Sequence, residues 1–194
     1  MNFLVLDTSS AYCTVALKVG DKVYSDTRHI PRQHNKFLLS MIDELFITAD
    51  IDKKSIDFIA YGIGPGSFVG VRLAASACQA FAVALDIPVI GFSSMFAIAK
   101  STASQDNVAV VLDAKMGDFY LGLYNIAADE IIAENVYKLE EYNAEMLVGY
   151  EAVGEAIRQI AFEPNVLEFS LDVANMIDYV ESKYKLQKSQ DKLT

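Results

Sequence analysis

The sequence is poor in the residues that form disulfides or bind metal ions. It contains two cysteines, Cys13 and Cys78, which are far apart and fit no metal-binding or redox spacing. Its two histidines, His29 and His34, are five positions apart, which does not place them on one face of a helix. We therefore predict no metal site, and two buried thiols in a reducing cytoplasm.

Basic side chains are scarce in the second half of the chain. The 194 residues include 16 Lys or Arg and 26 Asp or Glu, for a formal net charge of −10. Residues 1–100 carry nine side chains of each sign, so the whole net charge lies in residues 101–194. An acidic surface repels phosphate backbones, and we expect no direct binding to nucleic acid. A solvated acidic surface is the simpler explanation, and a docking face for a basic partner is the alternative.

Long apolar runs are also absent from the sequence. The longest, Leu73–Leu85, includes Gln79 and is shorter than a bilayer-spanning helix, so we interpret it as a buried helix. The first residues form an apolar strand pattern with no basic segment before it. We expect no secretion signal, no membrane partner and a cytoplasmic location.

A glycine-rich turn, Gly64-Pro65-Gly66-Ser67, is the most distinctive local pattern. The apolar run Ile56–Tyr61 precedes it and a long run of small and apolar residues follows, which predicts strand, turn and helix. The N–H groups and the dipole at a helix start can bind phosphate. The turn lacks the lysine of a Walker loop, so a phosphate site and a structural turn are equally compatible with it.

A second candidate, Asp7-Thr8-Ser9-Ser10, follows the apolar strand Asn2–Leu6. Its carboxylate could coordinate a cation and its hydroxyls could bond phosphate oxygens. The alternative is a polar hairpin turn. The residues that would bind a nucleotide are Asp7, Thr8, Gly64, Gly66 and Ser67.

The remaining patterns predict an α/β architecture in two lobes, with a boundary at residues 102/103. The first lobe should contain a three-stranded meander, a helix over about 36–48, a strand, the helix after the glycine turn and a strand. The second should contain three strands, helices over about 140–146, 151–160 and 171–183, and a disordered polar tail over 185–194. The first helix has more apolar residues than one core-facing stripe needs, which suggests that it is covered on two sides.

Five segments in this order resemble one family. They are Asn2–Ser10, Arg32–His34, Tyr61–Arg72, Ile87–Gly91 and Asp113–Tyr120. Together they are similar to the TsaB (YeaZ) family, the non-catalytic partners of the TsaD subunit in bacterial synthesis of threonylcarbamoyladenosine (t6A) in tRNA. The resemblance implies an actin/Hsp70-like ATPase fold in two lobes, residues 1–102 and 103–194, with a shortened C-terminal lobe.

The resemblance also implies a scaffold function. TsaD transfers threonylcarbamoyl to N6 of adenosine 37 in tRNAs that read codons beginning with A, a small ATPase called TsaE binds the pair, and TsaB alone forms homodimers. Both pairings would use the N-lobe helices, and no cofactor is required, although ATP or ADP with Mg²⁺ could lie at the partner interface. The expected interface residues are Leu38, Met41, Ile42, Leu45, Gly70, Arg72, Ala74, Ala77 and Cys78.

Several positions depart from an active enzyme or from the family pattern. Ser94 and Ile98 stand where the catalytic relative has its His-x-x-x-His metal pair, and neither supplies an imidazole. Val69 occupies a position that is usually threonine in the family. Arg72 could pair with a buried carboxylate or face a partner. The alternative function is a small ATP-binding phosphotransferase that uses Asp7 and the glycine turn, and protease activity has no nucleophile set to support it.

Overall fold

A computed structural model describes residues 1–102, 105–154, 156 and 173–191 of the chain. The chain forms two compact units. The first comprises Met1–Ser94 and the segment from Ile177 onward, and the second is Met95–Met176. The predicted boundary at 102/103 is therefore wrong in two respects: the second unit begins eight residues earlier, and the C-terminal segment returns to the first unit.

The first unit is built on a five-stranded sheet with the order β3-β2-β1-β4-β5. Strand β2 is antiparallel to β1 and β3, as the predicted meander requires, and β4 and β5 run parallel to β1. The strands are β1 (Asn2–Asp7), β2 (Tyr12–Val19), β3 (Lys22–His29), β4 (Phe58–Gly62) and β5 (Val89–Phe92).

Two helices, α1 (His34–Ala49) and α2 (Phe68–Leu85), pack on one face of this sheet. Cys13 and Cys78 are buried in the shared core, as predicted, and both are free thiols. Burial raises the pKa of both, that of Cys13 to about 12, so they remain protonated at neutral pH.

Helix α2 differs from the buried helix that its composition predicted. Its buried residues are Gly70, Ala74 and Cys78. Among the described helices, α2 alone is long and apolar enough to span a membrane, with a mean hydropathy of 1.7 and 17% of its residues buried. Core helices of globular proteins pass the same test. One side of this long apolar helix is exposed to solvent.

The opposite face of the sheet is covered by the C-terminal helix α4 (Val173–Asp191). The Phe58 ring lies between Phe3, at a centroid distance of 4.4 Å, and Tyr184 of α4, at 4.0 Å. Glu181 forms ion pairs with Lys18 of β2 and with Lys185. The prediction of a disordered tail from residue 185 is wrong up to Asp191, because these contacts hold the helix on the sheet.

We predict that Glu181→Gln destabilises the protein at pH 7 by about 1 kcal/mol. The Lys18 and Lys185 ammonium groups lower the pKa of Glu181 below its ordinary value of 4.5. A carboxyl whose pKa is lower in the folded state stabilises the fold above its unfolded pKa, and this contribution is lost as the pH falls through the folded pKa. Urea unfolding should therefore show a difference from wild type that shrinks as the pH falls below the ordinary pKa of 4.5. A difference that stays constant with pH would contradict the assignment, and Glu145→Gln, at an exposed carboxylate, is the control.

The second unit contains a four-stranded sheet with the order β8-β7-β6-β9. Its core includes Val111, Phe119 and Leu121, and Phe96 of α3 (Ser94–Thr102) stacks on Tyr124 at 5.2 Å.

The predicted helix at 140–146 is wrong: two short 3₁₀ turns replace it. The predicted helix at 151–160 is also wrong at its start, which is a strand, and most of the remainder lies outside the described residues. The strands are β6 (Asn107–Lys115), β7 (Asp118–Asn125), β8 (Glu130–Lys138) and β9 (Glu151–Val153).

Candidate functional site

The two predicted turns meet at the carboxyl ends of the parallel strands β1 and β4. The Ser67 N–H donates to the Ser9 carbonyl at 2.6 Å. The Thr8 hydroxyl donates to the Gly70 carbonyl at 2.7 Å. The structure therefore joins the Asp7 turn to the glycine turn, as a phosphate site would require, but through direct hydrogen bonds, one between backbone groups and one from the Thr8 side chain.

The glycines allow these backbones to approach closely. A Cβ atom on Gly66 would lie 2.4 Å from the Ser9 carbonyl oxygen, and one on Gly70 would lie 1.8 Å from the Thr8 carbonyl oxygen. Both distances are far below van der Waals contact. Of the two interpretations of the glycine turn, this geometry favours a structural turn, which brings the start of α2 against the Asp7 turn.

The polar groups of the two turns are largely bonded to one another. The Asp7 carboxylate, which is 7% exposed, accepts hydrogen bonds from the Ser9 N–H at 2.8 Å and the Ser9 hydroxyl at 2.7 Å. The Ser67 hydroxyl accepts from the Gly70 N–H at 3.3 Å and thereby caps α2. These bonds engage one carboxylate oxygen of Asp7 and the N–H groups of Ser9 and Gly70, and a phosphate that used those two donors would have to displace the bonds.

The positions that match the metal pair of the catalytic relative have other roles here. The Ser94 hydroxyl accepts from the Gly64 N–H at 3.2 Å, and the Ser94 N–H donates to the Gly64 carbonyl at 3.0 Å. Ile98 is a buried residue of α3. Within residues 1–102, 105–154, 156 and 173–191, no group of three or more His, Cys, Asp or Glu side chains could hold a metal ion.

Seven of the nine expected interface residues are buried in the chain's own core, and placing a partner contact on their side chains is therefore wrong. Each has packed against the sheet or a neighbouring helix and offers no surface to another protein. A charge introduced at any of them would disrupt the fold rather than test an interface. The seven are Leu38, Met41, Ile42, Leu45, Gly70, Ala74 and Cys78.

The other two expected interface residues, Arg72 and Ala77, are exposed and half-buried respectively. The Arg72 guanidinium lies 3.5 Å from the centre of the Phe68 ring, a cation–π contact at the first turn of α2. The suggestion that Arg72 pairs with a buried carboxylate is wrong, because the side chain is on the surface. The alternative, that it faces a partner, stays a prediction.

A continuous exposed stripe runs along α2, and we call it the α2 face. Its residues recur at spacings of three and four, so they share one side of the helix. Phe68, Val69 and Val83 are 67%, 75% and 85% exposed, and the small residues Ser76 and Ala80 lie between the valines. Besides Phe68, the stripe consists of Val69, Arg72, Ser76, Ala80 and Val83.

The expected interface was placed on residues of α1 and α2 that face the chain's own core. Leu38, Met41, Ile42 and Leu45 follow the i, i+3, i+4, i+7 spacing of a core stripe. That spacing was the available signal that they pack on the chain's own sheet. The surplus apolar side chains of α1 are Leu39 and Ile47, which the structure leaves in solvent.

Comparison with known proteins gives the family of the chain. A family model described as TsaD, tRNA N6-adenosine threonylcarbamoyltransferase, matches residues 23–180. The tRNA threonylcarbamoyladenosine biosynthesis protein TsaB of Escherichia coli is 31% identical over 166 residues, which cover 84% of this chain and 69% of that protein. The chain belongs to the TsaB family. TsaB of Haemophilus influenzae is 37% identical over 124 residues, so the match spans about half (52%) of that relative's length and 62% of this chain.

Solved TsaB-family structures share the fold. YeaZ from Pseudomonas aeruginosa aligns with a TM-score of 0.81 at 26% identity, over 96% of this chain and 93% of that one. A second Pseudomonas aeruginosa structure, described as an uncharacterized protein with similarity to peptidase YeaZ, aligns with a TM-score of 0.80 at 28% identity, over 95% and 92%. The predicted two-lobed α/β fold of the family is confirmed.

Proposed function

We propose that this chain is a scaffold subunit that binds a TsaD-type transferase and supports t6A synthesis without performing chemistry itself. The transferase would modify N6 of adenosine 37 in tRNAs that read codons beginning with A. The observation that carries the proposal is the α2 face, a long apolar surface without a covering element in the described structure of a TsaB-family chain. Its relatives in Escherichia coli and Haemophilus influenzae are named as t6A biosynthesis proteins.

The shape of the α2 face suits a partner helix. An 18-residue helix is about 27 Å long, which is enough to form the centre of a standard interface. Ser76 and Ala80 would let a second helix approach closely, while Val69 and Val83 would flank the crossing point. Leu39 and Ile47 of α1, a helix that contacts α2, are further exposed apolar side chains.

Phe68 and Arg72 are the expected anchors of the contact. Aromatic and arginine side chains supply much of the binding energy in protein interfaces. Here the guanidinium already rests on the ring, so less side-chain entropy is lost when a partner covers the pair. We propose that a homodimer uses the same face when the transferase is absent, and that a TsaE-type ATPase joins the heterodimer in the cytoplasm.

The hydrogen bonds within the two turns support a role for this chain without chemistry of its own. The Asp7 carboxylate closes its own turn, and the Ser67 hydroxyl caps its own helix. The acidic half of the sequence disfavours direct tRNA contact. No cofactor is needed for docking, and a nucleotide with Mg²⁺ at the partner interface would require donors from the partner.

Sedimentation velocity of the chain mixed with the TsaD homologue from the same genome tests the proposal. We expect a heterodimer at micromolar concentration and a homodimer for the chain alone. Two folded proteins that sediment independently would refute the scaffold function. The outcome is decisive because binding to the transferase is the only direct action that we propose for this chain.

Calorimetry separates the scaffold from the alternative, an ATP-binding phosphotransferase. The chain alone is titrated with ATP and Mg²⁺, and we expect no micromolar binding because the N–H groups of Ser9, Ser67 and Gly70 are bonded within the two turns. Micromolar binding that Asp7→Ala abolishes, in a variant with an unchanged thermal midpoint, would favour the phosphotransferase. The Ser10→Ala variant is the control, because Ser10 lies in the same turn without contacting Asp7 in the described hydrogen bonds.

A further inference from the structure

The segment that leads into α1 concentrates positive charge in an otherwise acidic chain. Residues 27–42 contain no Asp or Glu, and they include Arg28, Arg32, Lys36 and both histidines of the chain. Arg28 forms ion pairs with two carboxylates of the first unit. Arg32 and Lys36 are exposed and form no ion pair within the described residues. Two unpaired cations therefore flank the first residues of α1.

The start of α1 lacks the groups that usually cap a helix. The residue before it, Gln33, makes no side-chain hydrogen bond to the helix, and the first turn has no acidic residue. The Lys36 N–H donates to the Gln33 carbonyl at 2.9 Å, while the N–H groups of His34 and Asn35 have no acceptor in the described part of the chain. Because the first N–H groups of a helix also carry the positive end of its dipole, they are suited to an anion.

The His34 imidazole is a second group at this position without a partner. His34 is 9% exposed, and its Nε2 atom is buried and has no hydrogen-bond partner among the described residues. A buried polar atom without a partner is costly, and native structures usually satisfy it. Side chains of an α-helix lean toward its N-terminus, so the imidazole of this first helical residue points to the end of α1 that carries the two N–H groups. An anion there would accept a hydrogen bond from Nε2.

The two cations lie at the less favourable end of the helix. The dipole favours acidic side chains in the first turn of a helix and basic ones in the last. Lys36 is the third residue of α1 and Arg32 lies two residues before its start, so both meet the positive end of the dipole. A bound anion would turn each of these repulsions into an attraction. Residues that local rules disfavour are typical of binding sites.

We propose that the start of α1 binds a phosphate group through the N–H groups of His34 and Asn35, the His34 imidazole, and the side chains of Arg32 and Lys36. A phosphate has enough charge and acceptor oxygens to engage two cations and three N–H donors, whereas a carboxylate has one charge and two oxygens. The site lies within the first unit and uses no residue of the Asp7 turn, the glycine turn or the α2 face. It goes beyond the proposed function and does not depend on it.

An NMR titration tests the site. The chain has only two histidines, so the imidazole signal of His34 can be followed directly. The ¹⁵N-labelled chain is titrated with sodium phosphate, or with sodium acetate at the same pH and ionic strength. We expect phosphate to shift the His34 imidazole signal and the His34 and Asn35 amide signals saturably, with a Kd of about 1–10 mM, and acetate to bind about tenfold more weakly. No saturable shift, or equal shifts with acetate, would overturn the proposal.

Three substitutions test the groups that form the site. Arg32→Gln and Lys36→Gln each remove one cation and should weaken phosphate binding about tenfold. Asn35→Asp has nearly the same shape and places a carboxylate where the helix dipole favours it. It should raise the thermal midpoint by about 1–3 °C and abolish phosphate binding. An Asn35→Asp protein that binds phosphate like wild type would contradict the proposal.

Lys54→Gln is the matched control for charge. Lys54 is another exposed lysine of the first unit, and its N–H donates to the Asp52 carboxylate at 2.8 Å, in a turn that is capped. The control changes the net charge as Lys36→Gln does and should leave phosphate binding unchanged. Equal weakening by the two substitutions would mean that net charge alone governs binding, and the site would be refuted.

Two sources share the chemistry of this ligand, a nucleic-acid backbone and a free phosphate compound. Titrations with tRNA and with ADP separate them. The same shifts with tRNA at micromolar concentration would uphold the site and assign the phosphate to a nucleic acid, and shifts with ADP alone would uphold it and assign a free phosphate compound.

The result is independent of docking to the transferase, because no partner is present in the titration. The phosphate response should also survive Asp7→Ala, since Asp7 lies in the other candidate turn. A response that Asp7→Ala removes would place the phosphate at the Asp7 turn and overturn the inference, while the scaffold function would stand or fall by sedimentation alone.

Discussion

A chain that ends at Met176 should fail to fold. The truncation removes the described part of α4 that belongs to the first unit, including Ile177 and Val180, which are buried, and Tyr184, which stacks on Phe58. Buried side chains of this size stabilise a protein by about 1.5–3 kcal/mol each. Their sum is comparable with the whole stability of a domain, about 5–15 kcal/mol.

The measurement is soluble yield and circular dichroism of residues 1–176 beside a control of residues 1–186. The control removes residues 187–194, of which 187–190 are exposed, and retains the aromatic stack and the Glu181 ion pairs. We expect the control to melt cooperatively and the shorter chain to aggregate. A shorter chain that melts like wild type would show that α4 is dispensable and that the first unit is complete by Ser94.

The Gly70→Ala substitution should destabilise the protein by about 3 kcal/mol, at the upper end of the usual range for overpacking. Alanine normally stabilises a helix relative to glycine by about 0.5–1 kcal/mol. At Gly70 the sign should reverse, because the new methyl group would meet the Thr8 carbonyl oxygen at 1.8 Å. Relief would require α2 to move away from the first turn and would break the hydrogen bond from the Thr8 hydroxyl to the Gly70 carbonyl.

Urea unfolding of Gly70→Ala and Ser76→Ala provides the comparison. Ser76 is an exposed residue of the same helix, and its replacement should be neutral or slightly stabilising. A Gly70→Ala protein with an unchanged midpoint would show that the turns are loosely packed. It would also reopen the glycine turn as a candidate phosphate site.

Much of the first unit can be predicted from local sequence. Alternating apolar residues and the Gly20-Asp21 turn indicate the β2–β3 hairpin, and the glycine turn marks the start of α2. The two candidate turns meet because the parallel strands β1 and β4 end at the same edge of the sheet.

The rest depends on contacts between distant residues. Nothing near Tyr184 indicates that it stacks on Phe58, so residues 185–191, which continue the predicted helix over 171–183, resemble a polar tail in sequence. The choice between Leu38 and Leu39 as core residue depends on which side of α1 meets the sheet. At 140–146, the Asn143 side chain accepts from the Glu145 N–H at 3.0 Å, a local bond that interrupts the expected helix.

The central claim, that this chain acts by docking through the α2 face, is tested most directly with Val69→Asp. An aspartate in the first turn of a helix favours the helix, so the fold should be retained. The measurement is the rate of t6A formation by the TsaD homologue, supplied with tRNA and its threonylcarbamoyl donor, as a function of the concentration of this chain. Val23→Asp, at an exposed valine on β3, is the control.

We predict that Val69→Asp needs at least tenfold more protein than wild type for half-maximal stimulation and reaches the same maximal rate, while the control matches wild type. Such a shift without a change in the maximal rate means that the α2 face contributes affinity and no chemistry. Half-maximal stimulation at the wild-type concentration, or no stimulation by the wild-type chain, would contradict the account.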